Sequence, residues 1–355
     1  MPLPERRKTR KTRYGTVEIG GGAPVSIQSM LTFPASSVDA ASGQIEELAA
    51  AGCQITRVSV RDMNDVDALS RLCDESSIPV IADIHFDHRL AVAAAEKGVA
   101  GLRINPGNIG GREKTLAVAA AAGAAGIPIR IGVNSGSLEK TLAGLYVTAP
   151  AQALCESAAG FVAMLEREGF EELVFSLKSS DPMVTVEANR LFSSEYDYPL
   201  HIGVTEAGPV LSGTARSVVA LTMLLSEGIG DTVRVSLSGD PVREIVVAGA
   251  MLSALGLRTD LPRIISCPTC GRSHLDVAPL AERLEAVLPR YGNITVAVMG
   301  CEVNGPGEAK EADIGLAGTK KGAVLFRNGE IEGEVEGDLL ELLLEEIRKI
   351  SGKDT

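Results

Sequence analysis

The chain has 355 residues, a formal net charge of −12 and 45% hydrophobic residues. This length and composition predict two domains, or one large barrel with an appendage, around a sizeable core. Aromatic residues make up only 3% of the chain and tryptophan does not occur, so helices must pack mainly through Ala, Leu and Val. The acidic balance argues against a general nucleic-acid binder. The sequence contains no run of roughly 18 apolar residues, so we do not predict a membrane span.

The N-terminal segment is basic and carries Arg6, Arg7, Lys8, Arg10, Lys11 and Arg13. No apolar segment follows it, so we do not interpret it as a secretory signal. We expect a solvated tail in preference to a specific anion-binding site. Six cysteines without such a signal predict free or metal-bound thiols in a reducing cytoplasm.

From about residue 25 to 260, short strands alternate with loops and amphipathic helices. We predict eight strands, at Val25–Met30, Ile55–Val60, Val80–Phe86, Gly101–Asn105, Pro128–Asn134, Leu173–Ser180, Leu200–Thr205 and Val233–Ser238. Strands that alternate with helices form a parallel sheet, and eight such units match an α/β fold of the (β/α)8 TIM-barrel type. A doubly wound open sheet is the alternative.

The predicted strands carry polar side chains at every second position, whereas strands buried on both faces usually read as continuous apolar runs. Residues two apart share a face, so the polar set faces the lumen when the apolar set faces the helices. Five cations then converge in the lumen: Arg57, Arg103, Arg130, Lys178 and Arg234. Asp83 and Glu206 are too few to balance them, which predicts a polyanionic ligand such as a diphosphate. A lumen of internal salt bridges and water is the alternative.

Two glycine-containing loops agree with an anion site. Gly107-Asn108-Ile109-Gly110-Gly111 follows the fourth strand and opens a helix, where backbone N–H groups favour phosphate. Asn134-Ser135-Gly136-Ser137 follows the fifth strand. Both loops belong to the C-terminal face of the predicted barrel, where active sites of this fold lie.

A linker from Leu257 to Pro262 leads into a second, small α+β unit, so we predict domains at 1–258 and 263–355. The predicted helices lie near Val277–Leu288 and Asp338–Ile350. The predicted strands lie near Ile294–Met299, Ile314–Ala317 and Ala323–Arg327.

Three cysteines lie on loops of this second unit, in Cys267-Pro268-Thr269-Cys270 and after Gly300 at Cys301. Glycine and proline beside them free backbone N–H groups to point at sulfide or thiolate. An iron–sulfur cluster usually takes four cysteines, so one position would be open or filled by another group. A structural zinc site with His274 and ordinary buried thiols are the alternatives. The remaining cysteines, Cys53, Cys73 and Cys155, are predicted to be core thiols.

Longer motifs resemble the 4-hydroxy-3-methylbut-2-enyl diphosphate synthase family of the non-mevalonate isoprenoid pathway, in its short bacterial form. In the first domain they are Ser26-Ile27-Gln28-Ser29-Met30, Ala82-Asp83-Ile84-His85-Phe86, Leu102-Arg103-Ile104-Asn105-Pro106-Gly107-Asn108 and Arg130-Ile131-Gly132-Val133-Asn134-Ser135-Gly136-Ser137-Leu138. In the second they are Ser266-Cys267-Pro268-Thr269-Cys270-Gly271-Arg272 and Gly300-Cys301-Glu302-Val303-Asn304-Gly305-Pro306-Gly307-Glu308.

The resemblance implies a TIM barrel followed by a ferredoxin- or sulfite-reductase-like iron–sulfur domain. Its [4Fe–4S] cluster would be held by Cys267, Cys270, Cys301 and Glu308. The implied activity is that of an iron–sulfur oxidoreductase acting on CH or CH2 groups. It opens 2-C-methyl-D-erythritol 2,4-cyclodiphosphate reductively and removes a hydroxyl, giving (E)-4-hydroxy-3-methylbut-2-enyl diphosphate. Electrons would come from flavodoxin or ferredoxin, and a head-to-tail homodimer would place the cluster domain of one subunit over the barrel of the other.

The resemblance also implies which lumenal residues hold the diphosphate: Arg57, Arg103, Arg130, Asn134, Lys178, Thr205, Arg234 and Ser236. Glu206 is our candidate proton donor or hydroxyl contact, and Glu308 is the second catalytic candidate. Asp83 and His85 are further candidate substrate contacts, although a structural carboxylate–histidine pair would explain them as well.

Two other functions compete with this interpretation. One is a zinc-stapled barrel that performs non-redox transfer on a phosphorylated ligand, as pterin-binding synthases of similar barrel type do. The other is a zinc-ribbon module that binds nucleic acid through the basic N-terminus, against which the acidity and the cationic lumen argue.

Overall fold

A computed structural model describes residues 5–268, 270–302, 307 and 309–352. The chain divides into two compact units, Met1–Met251 and Leu252–Thr355. The division falls inside a helix, Val242–Ala254, ahead of the linker on which the predicted limits of 1–258 and 263–355 are based. In the described part of the chain, no helix has the length and apolar character needed to cross a membrane.

The first unit begins with an antiparallel hairpin, β1 (Lys11–Tyr14) and β2 (Val17–Gly20). Eight parallel strands then follow: β3 (Ser26–Met30), β4 (Ile55–Ser59), β5 (Val80–Ile84), β6 (Gly101–Ile104), β7 (Ile129–Asn134), β8 (Leu173–Lys178), β9 (His201–Ile202) and β10 (Thr232–Val233). Neighbours in sequence pair in parallel from β3 to β8, and β10 pairs with both β9 and β3. A bridge between Phe175 and Leu200 joins β8 to β9 and completes the ring. The predicted (β/α)8 barrel is confirmed, and the open sheet is wrong.

The last two strands are shorter than predicted, because each has only two residues with ladder pairing. Beyond β10 the regular ladder ends, although the N–H of Arg234 still donates to the carbonyl of Ile202 at 3.1 Å. The N–H of Leu237 donates to the carboxylate of Glu244 at 3.0 Å instead of to a strand. Arg234 and Ser236 therefore lie after the strand and not within it.

The described helices of the first unit alternate with these strands. They are α1 (Val38–Ala50), α2 (Met63–Glu75), α3 (His88–Ala95), α4 (Pro106–Ile109), α5 (Arg112–Ala125), α6 (Ala143–Thr148), α7 (Pro150–Arg167), α8 (Pro182–Glu195), α9 (Val210–Ser226) and α10 (Val242–Ala254). Local signals set several of the starts. Asp181, for example, accepts hydrogen bonds from the N–H groups of Met183 and Val184, and Pro182 occupies the first helical position of α8.

The basic N-terminal segment is bound to the barrel, so the expected solvated tail is wrong. Arg6 forms an ion pair with buried Asp231 at 3.0 Å, directly before β10. Arg7 donates to the carbonyl of Tyr198 at 2.8 Å, and the guanidinium carbon of Arg10 lies 4.1 Å from the centroid of the Tyr198 ring. Many of the acceptors are backbone carbonyls, which no charge pattern in the sequence reveals.

The hairpin closes the N-terminal end of the barrel. Tyr14 and Ile19 are fully buried and pack against Ile55, Ile81 and Val174. A Cβ on Gly101 would lie 2.5 Å from the Tyr14 ring, so this glycine makes room for the aromatic plug. The lumen above this floor is therefore shielded from solvent at its lower end.

The second unit is a five-stranded mixed sheet with helices on one face. Its strands, in spatial order, are β11 (Arg263–Ser266), β12 (Thr295–Met299), β13 (Ile314–Gly318), β14 (Ala323–Arg327) and β15 (Glu330–Val335). The first three are parallel and the last two antiparallel. Helices α11 (Val277–Val287) and α12 (Leu339–Ser351) bury Leu284 and Leu343 against Val296 and Leu316.

This architecture confirms the predicted small α+β unit, although the prediction missed β11 and β15. β15 reads Glu-Ile-Glu-Gly-Glu-Val and lies at the sheet edge. A charged residue at every second position is typical of an edge strand that must not pair further. Such a strand lacks the apolar residues by which strands are recognised in a sequence.

The plug at the barrel floor gives the first prediction. Replacing Tyr14 with Ala should lower the free energy of unfolding by about 3–5 kcal/mol, because a large buried ring is lost. Replacing Tyr14 with Phe should change it by less than about 1 kcal/mol, since the hydroxyl is buried with no hydrogen-bond partner among the described residues. Urea unfolding followed by circular dichroism measures both. Equal losses for the two variants would contradict the packing role.

Candidate active site

The five predicted lumenal cations meet inside the barrel. Arg130, on β7, donates from Nη1 to Oε1 of Gln28, on β3, at 2.8 Å. These strands lie four apart in the ring, so the hydrogen bond crosses the lumen. Arg57 on β4, Arg103 on β6 and Lys178 on β8 project into the same space, and Arg234 joins them from the segment after β10.

Asp83, on β5, holds two of these cations. Its Oδ1 accepts from Nη1 of Arg103 at 3.0 Å, and its Oδ2 lies 3.1 Å from Nε of Arg57. Nε2 of His85 lies 3.0 Å from the same Arg103 Nη1 and 3.6 Å from Asp83 Oδ2. Burial alone would raise the pKa of Asp83, but the charges of Arg57 and Arg103 hold that pKa far below its usual value. The carboxylate is therefore ionised and anchors both guanidinium groups.

Two glycines make room for the lumenal cations. A Cβ on Gly132 would lie 2.7 Å from Nε of Arg103. A Cβ on Gly203 would lie 2.8 Å from Nζ of Lys178 and 2.5 Å from the carbonyl oxygen of Arg234. Side chains at these two lumen-facing positions would occupy the space that the cations use.

Glu244, in the first turn of α10, is a partner of a lumenal cation that the sequence pattern missed. Its two oxygens accept from Nε and Nη2 of Arg234, each at 3.1 Å, in a bidentate pair. Strand alternation finds residues on strands, and Glu244 reaches Arg234 from a helix, so that signal could not reveal it.

Arg130 and Lys178 have no such partner. Among the described residues, no carboxylate lies within ion-pair distance of either, and Nε and Nη2 of Arg130 are buried without a hydrogen-bond acceptor. Burial lowers the pKa of Arg130 to about 10. Burial and the neighbouring guanidinium groups of Arg130, Arg57, Arg234 and Arg103 lower the pKa of Lys178 well below its ordinary value.

His201 lies in the same positive environment. Its side chain is fully buried, and neither ring nitrogen has a partner among the described residues. Burial and the charge of Lys178 lower the pKa of His201 well below its ordinary value, so the imidazole is neutral.

Salt bridges to carboxylates thus neutralise part of the charge of Arg57, Arg103 and Arg234. The lumen keeps a net positive charge, which an anion would neutralise.

The remaining predicted residues of the first unit lie at the C-terminal mouth. Asn134 ends β7, Thr205 and Glu206 form the turn after β9, and Ser236 follows β10. Glu206 is exposed and has a φ of 52°. A non-glycine residue in the left-handed region is uncommon, and such residues cluster at functional sites.

The rim of this mouth carries many exposed apolar side chains. Six of the nine large hydrophobic side chains that are exposed in the described part of the chain follow barrel strands on this side: Phe33, Met63, Phe86, Val147, Met183 and Leu211. Exposed apolar side chains concentrated on one face are typical of an interaction surface.

In the second unit, two cysteine loops leave neighbouring parallel strands. Cys267 follows β11, and Cys301 follows β12 after Gly300. The N–H of Gly300 donates to Sγ of Cys267 at 3.0 Å, and the N–H of His274 donates to the carbonyl of Gly300 at 2.7 Å. The two loops are thus tied together at one edge of the sheet.

Cys270 is exposed, and the backbone N–H and side chain of Arg272 lower the pKa of its thiol. Backbone N–H groups aimed at sulfur favour thiolate, the form in which cysteine binds iron–sulfur clusters, so these donors fit such a group. Among the residues that the structure describes, no group of three or more His, Cys, Asp or Glu side chains is arranged to hold a metal ion. The predicted fourth ligand, Glu308, lies outside the described residues.

Comparison with known protein families shows to which family the chain belongs. The sequence matches the GcpE TIM-barrel domain over residues 9–249 and the GcpE protein C-terminal domain over residues 263–349. The chain belongs to the GcpE family. A relative from Desulfotalea psychrophila is 51% identical over 97% of this chain and 96% of its own length. One from Geobacter sulfurreducens is 52% identical over 97% and 98%, respectively. Both are named 4-hydroxy-3-methylbut-2-en-1-yl diphosphate synthase (flavodoxin).

Solved structures agree on the barrel. The 3-dehydroquinate dehydratase of Geobacillus kaustophilus superposes with a TM-score of 0.51 at 13% identity, over 70% of this chain and 98% of its own. This likeness shows the fold alone. The relatives of the GcpE family give no support to the zinc-stapled transferase alternative.

Asp83 gives the second prediction. Replacing it with Asn should lower the free energy of unfolding by about 3–5 kcal/mol at pH 7, because two buried guanidinium groups lose their carboxylate. The depressed pKa of Asp83 means that its contribution is complete above the unfolded pKa, about 4. It should be lost progressively as the pH falls below that value.

Urea unfolding of wild type and Asp83→Asn between pH 3 and 7 measures this difference. Asp67→Asn, which removes an exposed partner of Lys97, is the matched control and should cost less than about 1 kcal/mol. An Asp83→Asn penalty no larger than this control would contradict the anchoring role.

Proposed function

We propose that this chain is a 4-hydroxy-3-methylbut-2-enyl diphosphate synthase of isoprenoid precursor biosynthesis, working in the cytoplasm. It opens the ring of 2-C-methyl-D-erythritol 2,4-cyclodiphosphate reductively. The ring C–O bond breaks with its electron pair on the diphosphate oxygen, and a hydroxyl leaves with one proton as water. Two electrons supply the new carbon–carbon double bond. The names and the near-complete coverage of the curated relatives support this reaction.

The main support for the proposal is the positive charge of the lumen, which the described carboxylates do not balance. Five cations share two described carboxylates, Asp83 and Glu244. The buried, partnerless nitrogens of Arg130 call for an acceptor that the protein does not provide. A diphosphate has the charge and the number of oxygens to satisfy them.

The same cations assist the bond cleavage. Opening the ring turns a diester phosphate into a terminal phosphate, so the diphosphate gains negative charge as the C–O bond breaks. Fixed cations in a site shielded from water stabilise developing charge more than water does, because they need not reorganise. Arg57, Arg103 and Arg234 are held in place by carboxylates, while Arg130 and Lys178 contribute their charge to the ligand alone.

At the mouth, Asn134, Thr205 and Ser236 would complete the contacts to the diphosphate. Glu206 would contact the substrate hydroxyl or give it the proton with which it leaves. Its exposed position and its left-handed backbone conformation support this role. Asp83 and His85 act, in this proposal, through the guanidinium of Arg103.

A [4Fe–4S] cluster would be held by Cys267, Cys270 and Cys301, with Glu308 as the oxygen ligand. When bound, it supplies electrons one at a time, with flavodoxin or ferredoxin as donor. The N–H groups of Gly300 and Arg272 that point at Cys267 and Cys270 support the thiolate ligands.

The apolar rim of the barrel mouth supports a head-to-tail homodimer. Charge neutralisation belongs to the first unit and the thiols to the second, so the reaction needs the two to meet with water excluded. In the proposed dimer, the cluster unit of one subunit covers the rim of the other.

The activity itself gives the third prediction. Chain purified without oxygen and reconstituted with iron and sulfide should be brown. With reduced flavodoxin it should convert the cyclic diphosphate to the linear allylic diphosphate, as detected by mass spectrometry. Cys301→Ser should abolish turnover, and Glu308→Ala should leave a labile cluster and little turnover. A colourless protein with stoichiometric zinc and full activity would reject the proposal.

Arg130 gives the fourth prediction. Arg130→Gln should raise the KM for the cyclic diphosphate roughly a hundredfold, as expected when a charged hydrogen-bonding partner is removed. Its free energy of unfolding should not fall, because the replaced guanidinium has buried N–H groups without acceptors. Arg89→Gln, which alters an exposed pair with Asp87, is the matched control. Loss of cluster colour in Arg130→Gln alone would indicate a structural role instead.

A further inference from the structure

Glu244 makes four hydrogen bonds around the segment that follows β10. Besides the bidentate pair with Arg234, its Oε2 accepts from the hydroxyl of Ser29 at 3.0 Å, and its Oε1 accepts from the N–H of Leu237 at 3.0 Å. Its side chain is only 3% exposed. Each oxygen thus has two donors, so the carboxylate is saturated and cannot move without breaking hydrogen bonds.

The position needs such a support. β10 has two residues, and beyond it the N–H of Arg234 donates to the carbonyl of Ile202 and the N–H of Ser238 to that of Gly208. Between these two bonds, the N–H of Leu237 donates to Glu244 instead of to a strand. Glu244 binds the side chain of Arg234 and the backbone of Leu237, and so holds the segment between them. It connects this segment to β3 through Ser29.

The pair also determines which edge of Arg234 is available. Glu244 takes Nε and Nη2, and Nη1 is left with the sulfur of Met30 at 4.0 Å, a weak acceptor. Nη2 of Arg57 lies 3.0 Å from the same sulfur. Nitrogens of two guanidinium groups therefore converge beside Met30 with hydrogen-bonding capacity to spare.

We propose that Glu244 is a positioning residue of the diphosphate site. It orients Arg234 so that Nη1 faces the anion together with Arg57, and it prevents the repulsion of the other cations from turning Arg234 away. The proposal deepens the proposed function and rests on it, because it assigns the support of one diphosphate contact. Glu244 itself does not touch the anion.

Glu244→Gln is the direct test. An amide keeps the shape of the carboxylate but places an N–H2 group against donors on one side or the other, so the bidentate pair cannot survive. The affinity for 2-C-methyl-D-erythritol 2,4-cyclodiphosphate, measured by calorimetry, should fall roughly tenfold to a hundredfold, the size expected for a charged hydrogen bond. KM should rise in parallel while cluster absorbance stays unchanged. Ser29→Ala, which removes a donor to Glu244 but leaves the pair with Arg234, should change affinity less than about threefold.

The double variant separates positioning from general destabilisation. In Arg234→Ala, the carboxylate of Glu244 is left buried, unpaired and close to the anion site. Adding Glu244→Gln to Arg234→Ala should therefore restore part of the lost affinity instead of lowering it further. This variant also removes both charges together, so it tests the idea even if Glu244→Gln alone folds poorly.

Two results would overturn the inference: wild-type affinity in Glu244→Gln, or losses that multiply in the double variant. Failure of the wild-type chain to bind the cyclic diphosphate would instead overturn the proposed function. Calorimetry on the wild-type chain, run first, distinguishes the two failures.

Discussion

The structure depends on the unequal pairing of charge inside the barrel. Asp83 and Glu244 hold Arg57, Arg103 and Arg234, whereas Arg130 and Lys178 are buried without an acid among the described residues. An unpaired buried cation destabilises a fold, so the rest of the barrel must offset its cost. In the proposed function, a diphosphate would remove that cost on binding, and the free energy regained would contribute to its affinity. The excess charge is thus better understood as a binding site than as a structural feature.

Several features remote from the chemistry make this arrangement possible. Tyr14 and Ile19 close the floor with apolar surface, so water does not screen the cations from below. Gly132 and Gly203 leave the space that Arg103 and Lys178 fill. The N-terminal arginines bind loops at the same end of the barrel and keep the hairpin attached to it. The lumen is consequently a polar interior above an apolar floor. Water does not weaken the electrostatic interaction of its cations with a ligand from that side.

The sequence was most informative where its periodicity matched the geometry. The succession of eight strand–helix units predicted the barrel. Alternation along the strands predicted the lumenal direction of Arg57, Arg103 and Arg130, because a strand places every second residue on one face. It failed where contacts depend on tertiary placement. Glu244 reaches Arg234 from a helix, Tyr14 packs into the barrel from a hairpin, and Arg7 binds backbone carbonyls. No local pattern encodes such contacts. β15 was missed because the charged residues that keep an edge strand from pairing further also weaken its strand pattern.

The division of the chain into two units keeps two sets of charged groups apart. The barrel needs its cations fixed and unneutralised, whereas Cys267, Cys270 and Cys301 need N–H donors that favour thiolate. If thiolates formed beside the lumenal guanidinium groups during folding, opposite charges would pair and occupy the anion site. In separate units, each set of charges folds with its own partners: Asp83 and Glu244 in one, the N–H groups of Gly300 and Arg272 in the other. Under the proposed function, the cations that lack a carboxylate would be available to the substrate, and the cysteine thiolates would be available to the cluster.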